Sequence, residues 1–132
     1  MTTALLSLLA RVLLAIMFAQ SGYAALSNPA GTAAYFAGLG LPLADLLPWA
    51  VGAFELLAAL CLIAGAATRP VAALLALFAI SAGFLGHYGQ GDTATLVFLH
   101  QQMLLKDIAV SGGLILLAIH GSGPLSVDAR RS

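Results

Sequence analysis

The chain has 132 residues, 61% hydrophobic and 8% charged, with 5 basic and 5 acidic side chains and a formal net charge of zero. A soluble domain usually carries roughly 25% charged residues, and a small one needs polar surface to cover its core, so this composition excludes a soluble monomer. The absence of a basic patch excludes nucleic-acid binding. The single cysteine, Cys61, excludes an internal disulfide and CxxC redox chemistry, and reads as a small buried hydrophobe in its apolar run.

A membrane-spanning helix needs about 20 mostly apolar residues, and four segments qualify. The first covers about 4–26, interrupted by Arg11 and Gln20. It is not read as a cleaved signal: no basic residue precedes the apolar run, and Arg11 lies inside it. Ser27-Asn28-Pro29 ends the span, because proline lacks an amide hydrogen and restrains the residue before it. Gly31 to Gly38 follows as a short amphipathic segment, with Tyr35 and Phe36 suited to the headgroup region. The second span covers about 43–67 and contains Glu55. Ala67-Thr68-Arg69-Pro70 makes a tight turn into the third span, about 70–88, which has no charged residue. Spans two and three are therefore expected to be antiparallel neighbours. Gly89-Gln90-Gly91-Asp92 is a polar loop, and the fourth span, about 94–119, contains Lys106 and Asp107. A short tail, 120–132, follows. The expected fold is an all-α integral membrane four-helix bundle, a single domain over 1–132. Arg69, Arg130 and Arg131 lie outside the spans, so the positive-inside rule places both termini in the cytoplasm.

The informative residues are the charged ones inside spans. Arg11 is roughly 14 residues from the outer end of its span, and Glu55, Lys106 and Asp107 roughly 12 from theirs. At about 1.5 Å per residue these depths agree within about 5 Å. Each charge facing lipid would cost roughly 2.5–3.5 kcal/mol. Two positive and two negative groups can instead close on one another, so a buried cluster of Arg11, Glu55, Lys106 and Asp107 is expected. Arg11 shares a helical stripe with Ala15, Phe18 and Gly22; Glu55 shares one with Gly52 and Ala59; Lys106 shares one with Gln102, Val110 and Gly113. Small residues in each stripe allow close helix approach. Asp107 lies about 100° around from Lys106 and aligns with His100 and Ser111. Such a cluster can lock helix register alone, or form a ligand, cofactor or proton site.

A second polar set is expected near the outer face: Gln20, Tyr23, Trp49, His87, Tyr88, His100, Gln101 and Gln102. Trp and Tyr there serve as interfacial anchors. His87 and His100 could hydrogen-bond a quinone carbonyl; as a metal site they lack the further ligands a closed site needs. His120, a cation near a helix C-terminus, suits the helix dipole. No phosphate loop, HExxH or nucleophile elbow is present.

Five segments, in order, resemble the DoxX family of small four-span bacterial membrane proteins. They are RVLLAIMFAQSGYAALSNP from Arg11, GTAAYFAGLGLP from Gly31, ELLAALCLIAGAATRP from Glu55, LLKDIAVSGGLILL from Leu104 and GSGPLSVDA from Gly121. The resemblance implies a four-helix membrane bundle in the bacterial inner membrane and a setting in redox metabolism, since one branch is named for a thiosulfate:quinone oxidoreductase subunit. It implies that Arg11, Glu55 and Lys106 match the family's charged positions. Relatives carry Asn after that lysine, where this chain has Asp107.

Three readings follow. In the first, the protein is a quinone-linked redox or oxidative-stress subunit. Arg11, His100, Gln102 and Lys106 donate to the ligand, Glu55 and Asp107 relay protons, and no intrinsic cofactor is evident, so a soluble or membrane redox partner supplies electrons. In the second it is a non-catalytic membrane anchor or assembly factor. In the third it is a small transporter, which would have to be a homo-oligomer because four spans leave little room for a pore.

Overall fold

The computed structural model describes residues 1–131. It contains α1 (Thr2–Ser27), α2 (Pro29–Gly38), α3 (Leu47–Ala64), α4 (Thr68–His87), α5 (Ala94–His120) and α6 (Val127–Arg131). Among the described residues there is no strand, and α1, α3, α4 and α5 are long and apolar enough to cross a membrane. The all-α, four-span class expected from composition is the class observed.

The helix ends have local causes. Asn28 accepts from the Gly31 amide at 3.1 Å and Pro29 occupies the first turn, so α2 begins just after α1 stops. The second span starts later than expected, at Leu47 rather than 43. Leu43 adopts a left-handed φ of 55°, and Pro48 sits in the first turn of α3. Asp45 and Pro48 interrupt the apolar run from Leu41 to Trp49, and together they are the signal for the later start. The helix also ends earlier, at Ala64. Gly65 takes φ 66°, the Ala66 amide donates to the Cys61 carbonyl at 2.9 Å, and the Gly65 amide to that of Leu62 at 3.2 Å. This double bond pattern is a Schellman termination, which needs a left-handed residue. Thr93 caps α5 by accepting from the Leu96 amide at 3.3 Å.

The helices group into two packing units. The first comprises residues 1–68 and the tail from Ser122. In it α1 and α3 run antiparallel and cross at Gly22 and Gly52. A Cβ on Gly22 would lie 2.7 Å from the Gly52 carbonyl oxygen, and one on Gly52 would meet Leu26 at 2.7 Å. Backbone approach this close is the usual route to helix association in lipid, where apolar burial drives little. Arg11, Ala15, Phe18 and Gly22 are buried on α1 as their helical spacing predicts, together with Ala25; on α3, Gly52, Glu55 and Ala59 are buried as expected, together with Pro48, Ala58 and Leu62.

The second unit comprises residues 69–121. Here α4 and α5 are antiparallel, tied by Ser111 Oγ, which donates to the Ala76 carbonyl at 3.3 Å and to its own helix at Asp107 at 2.7 Å. The buried residues of α4 include Ala72, Leu75, Ala76 and Ala79. Across the chain the buried hydrophobics are mostly alanines, while large side chains such as Leu13, Leu57, Leu77, Leu105 and Leu116 are exposed. That inversion is what a lipid-solvated helical protein requires.

The glycine crossing yields a direct test. Gly22→Leu should lower the thermal midpoint in detergent, by the equivalent of about 1–3 kcal/mol for overpacking. Gly112→Ala, where a new Cβ meets nothing within 4 Å, should leave it unchanged or raise it by the equivalent of up to about 1 kcal/mol, since alanine is favoured over glycine inside a helix.

Candidate functional site

Polar side chains gather at two places, one in each unit. In the first, Arg11 is fully buried, with 0% exposure. Its Nη1 donates to the carbonyls of Leu62 at 2.9 Å and Ile63 at 3.0 Å, and its Nη2 to that of Leu125 in the tail. Leu62 and Ile63 lie in the last turn of α3, where helix carbonyls lack intrahelical donors and the macrodipole is negative. The guanidinium therefore caps α3 from a neighbouring helix. Gly65 makes room for it, since a Cβ there would collide with both Arg11 and Ser126.

The tail folds back onto this cap. Ser7 Oγ donates to the Ser122 carbonyl at 2.9 Å, Ser122 Oγ to Ser126 Oγ at 2.9 Å, and the Asp128 amide to the Gly65 carbonyl at 2.9 Å. The Asp128 carboxylate accepts from the amides of Ala67 at 2.8 Å and Thr68 at 2.9 Å, holding Ala67 at its left-handed φ of 47°. Hydrogen bonds from Thr68, joined by the Ala67 amide and the charge of Arg131, hold the Asp128 carboxyl below its ordinary value against an opposing effect of burial. Sequence reasoning treated this tail as a plain extension. Its signal was Ser122, Ser126 and Asp128 among helix-breaking glycines and Pro124.

Glu55 is buried at 4% exposure, and Ser21 Oγ donates to its Oε2 at 3.0 Å. This corrects the expected depth alignment of Arg11 with Glu55. Arg11 lies against Leu62 and Ile63, whereas Glu55 lies against Ser21 and Gly22. Ten residues of α1 separate the two contacts, roughly 15 Å of helix rise. The physical reason is the later start of α3 at Leu47, which brings Glu55 nearer its helix N-terminus, combined with an Arg11 that binds carbonyls rather than a carboxylate.

In the second unit, Asp107 on α5 is buried at 7% exposure and lies against Gly83 of α4, where a Cβ would approach its Oδ2 to 3.1 Å. Lys106 Nζ is 3.1 Å from Asp107 Oδ1, yet 45% of the Lys106 side chain is exposed. The expectation that Lys106 is buried is therefore corrected. The buried stripe of α5 is Asp107, Ser111 and Leu114, about 100° around from Lys106. The lysine's long stem lets its ammonium reach back to Asp107. His87 Nε2 lies 3.8 Å from Asp107 Oδ2, and His87 Nδ1 is 3.0 Å from His100 Nδ1. Lys106, Asp107, His87 and His100 thus form one polar string along the α4–α5 pair. Gln102 is exposed on the stripe of Lys106. His87 and His100, the candidate metal ligands, are bonded to each other, and among the described residues no group of three or more His, Cys, Asp or Glu is placed to hold a metal ion. Tyr23, Trp49 and Tyr88 are exposed, with relative accessibilities of 68%, 54% and 69%. His120 lies outside the string, its Nδ1 2.9 Å from the Leu116 carbonyl.

Four apolar helices with a buried guanidinium cap and a polar string define a small multi-span integral membrane protein. A family model described as DoxX matches residues 6–88. Escherichia coli (strain K12) inner membrane protein YphA is 30% identical over 125 residues, covering 95% of this chain and 89% of that protein. Inner membrane protein YqjF of the same organism is 32% identical over 121 residues, covering 92% and 88%. The chain belongs to the DoxX family. No solved structure matches it.

The clasp around Asp128 makes an acid-sensitive prediction. Because its carboxyl is held below 3.8 when folded, its stabilisation is complete above that pH and is lost as pH falls through the lowered folded value. Asp128→Asn should remove this acid limb from a stability-against-pH curve and cost about 1 kcal/mol at pH 7, as loss of a helix cap does. Faster amide exchange in residues 122–128 should accompany it.

Proposed function

We propose that this protein is a small inner membrane subunit of a quinone-linked redox or oxidative-stress system, and that the α4–α5 polar string holds a lipid-soluble quinone head group. The observation that carries this reading is Lys106: a cation within an apolar spanning helix, bonded to Asp107 at 3.1 Å and still 45% exposed. An ammonium facing hydrocarbon costs roughly 2.5–3.5 kcal/mol, and a carbonyl acceptor arriving from the lipid reduces that cost. Gln102 offers a second donor one helical turn away, about 5.4 Å, a spacing comparable with that of the two carbonyl oxygens across a quinone ring. Asp107, backed by His87 and His100, stands beside that donor pair as the proton relay. A bound quinone supplies two-electron, two-proton chemistry, and a soluble or membrane partner protein is the electron source. Glu55, bonded to Ser21, stays a relay candidate of the α1–α3 pair; Arg11 is occupied with the fold. The names of both curated relatives support the inner membrane, and the basic residues Arg69, Arg130 and Arg131 support cytoplasmic termini.

A second reading, a non-catalytic anchor or assembly factor for a redox partner, draws support from Arg11, whose charge serves helix capping and tail docking.

Decylubiquinone titrated into the purified protein in nanodiscs discriminates the two. Saturable binding is expected, weakened about tenfold by Lys106→Met, the loss of one charged hydrogen bond, and several-fold by Gln102→Leu. Absent binding, or binding indifferent to both variants, leaves the anchor reading.

A further inference from the structure

Neutral imidazole carries one N–H and one lone pair, so a bond between two Nδ1 atoms needs one ring to donate and the other to accept. The two rings lie 5.2 Å apart between centroids, with the Nδ1 atoms at 3.0 Å. On its far side His87 presents Nε2 to a carboxylate oxygen of Asp107, 3.8 Å away. A carboxylate only accepts, which selects the Nε2–H form of His87. His87 Nδ1 then carries the lone pair, and His100 must be the Nδ1–H donor, with its own Nε2 free to accept a proton. The tautomers of both rings follow from this one orientation.

We propose that His100 and His87 form a directional proton wire leading from the α4–α5 loop end to Asp107. A proton taken up at His100 Nε2 displaces the Nδ1 proton of His100 onto His87 Nδ1. His87 releases its Nε2 proton to Asp107 after a side-chain closure of about 1 Å to hydrogen-bond distance. Charge and protons balance: one enters at His100 Nε2, one arrives on the Asp107 carboxylate, and each imidazole ends neutral with its tautomer exchanged. Return to the starting tautomers needs each ring to lose the proton it holds and take one at its other nitrogen, by exchange with water at the loop end and with the group at Asp107. The wire deepens the reading above by assigning a route by which a ligand at Lys106 and Asp107 receives protons, and it rests on that reading only for its purpose. The positions suit such a route. His87 is the last residue of α4 and His100 lies in the second turn of α5, flanking the loop, while Asp107 lies two turns further along α5. The titratable groups acting on His87 are Asp107, His100 and Lys106, all on α5.

The test is nitrogen NMR of the full chain, labelled with 15N-histidine in nanodiscs, with His120→Gln to leave two rings. At alkaline pH one ring should be the Nε2–H tautomer and the other Nδ1–H, with coupling across the hydrogen bond between the two Nδ1 atoms. As pH falls the pair should take one proton jointly, its second being displaced by about one pH unit or more from the titration of the lone ring in His100→Phe. Asp107→Asn, which still accepts from Nε2–H but takes no proton, should keep the tautomers; Asp107→Leu should release His87 from the Nε2–H form. Identical tautomers without coupling, or two independent titrations, overturn the wire. Decylubiquinone binding is scored separately: coupled rings in a protein that binds no quinone retain the wire and remove the functional reading, and quinone binding with uncoupled rings does the reverse.

Discussion

A guanidinium buried among lipid-facing helices has to find acceptors or forfeit several kcal/mol. In this protein Arg11 finds them on the backbone, at Leu62, Ile63 and Leu125. Much of the first packing unit depends on that choice. It fixes the register of α1 against α3, since the planar fork of an arginine reaches two successive carbonyls only at the open C-terminal turn of a helix. It requires Gly65, both for the left-handed termination of α3 and for the space the guanidinium occupies. It also draws the tail inward, where Ser7, Ser122, Ser126 and Asp128 complete a set of bonds that closes over the α3–α4 turn. The glycine crossing at Gly22 and Gly52, near the opposite ends of the same two helices, keeps the pair close enough for the fork to reach.

The two polar sites differ in how completely they are closed. Around Arg11 the acceptors are carbonyls of the chain itself, and the tail covers them; that site is built to hold a shape. Along α4 and α5 the groups are titratable side chains, one of them exposed, and their contacts lengthen from 3.0 Å between the histidines to 3.8 Å at His87 and Asp107. That openness is what the proposed ligand site rests on, since an ionisable group inside a spanning helix is costly unless it is paired. Gly83 is the backbone condition for it, because a side chain there would push Asp107 out of its place against α4.

Helical periodicity alone identified the buried stripe of α1 through Arg11, Ala15, Phe18 and Gly22, and that of α3 through Gly52, Glu55 and Ala59. It also put Asp107, His100 and Ser111 on one line, because side-chain direction along a helix is a local property. It did not reveal that the Asp107 line, and not that of Lys106, is the buried one. Two stripes about 100° apart on one apolar helix are equally plausible interior faces until a partner helix is in place. Charge complementarity suggested that Arg11 and Glu55 meet. The carbonyls that Arg11 in fact binds are present at every residue, so no residue type announces them.

The sequence by itself determined the solvent, the number of spanning helices, most of their boundaries and the family, because these depend on composition and on signals within a turn or two of each residue. Only the tertiary structure decided which charges are paired with what, the later start of α3, and the docking of the tail. Those depend on backbone acceptors and on close approach between segments such as Ser7 and Ser122, far apart in the chain, and contacts of that kind have no local sequence signature.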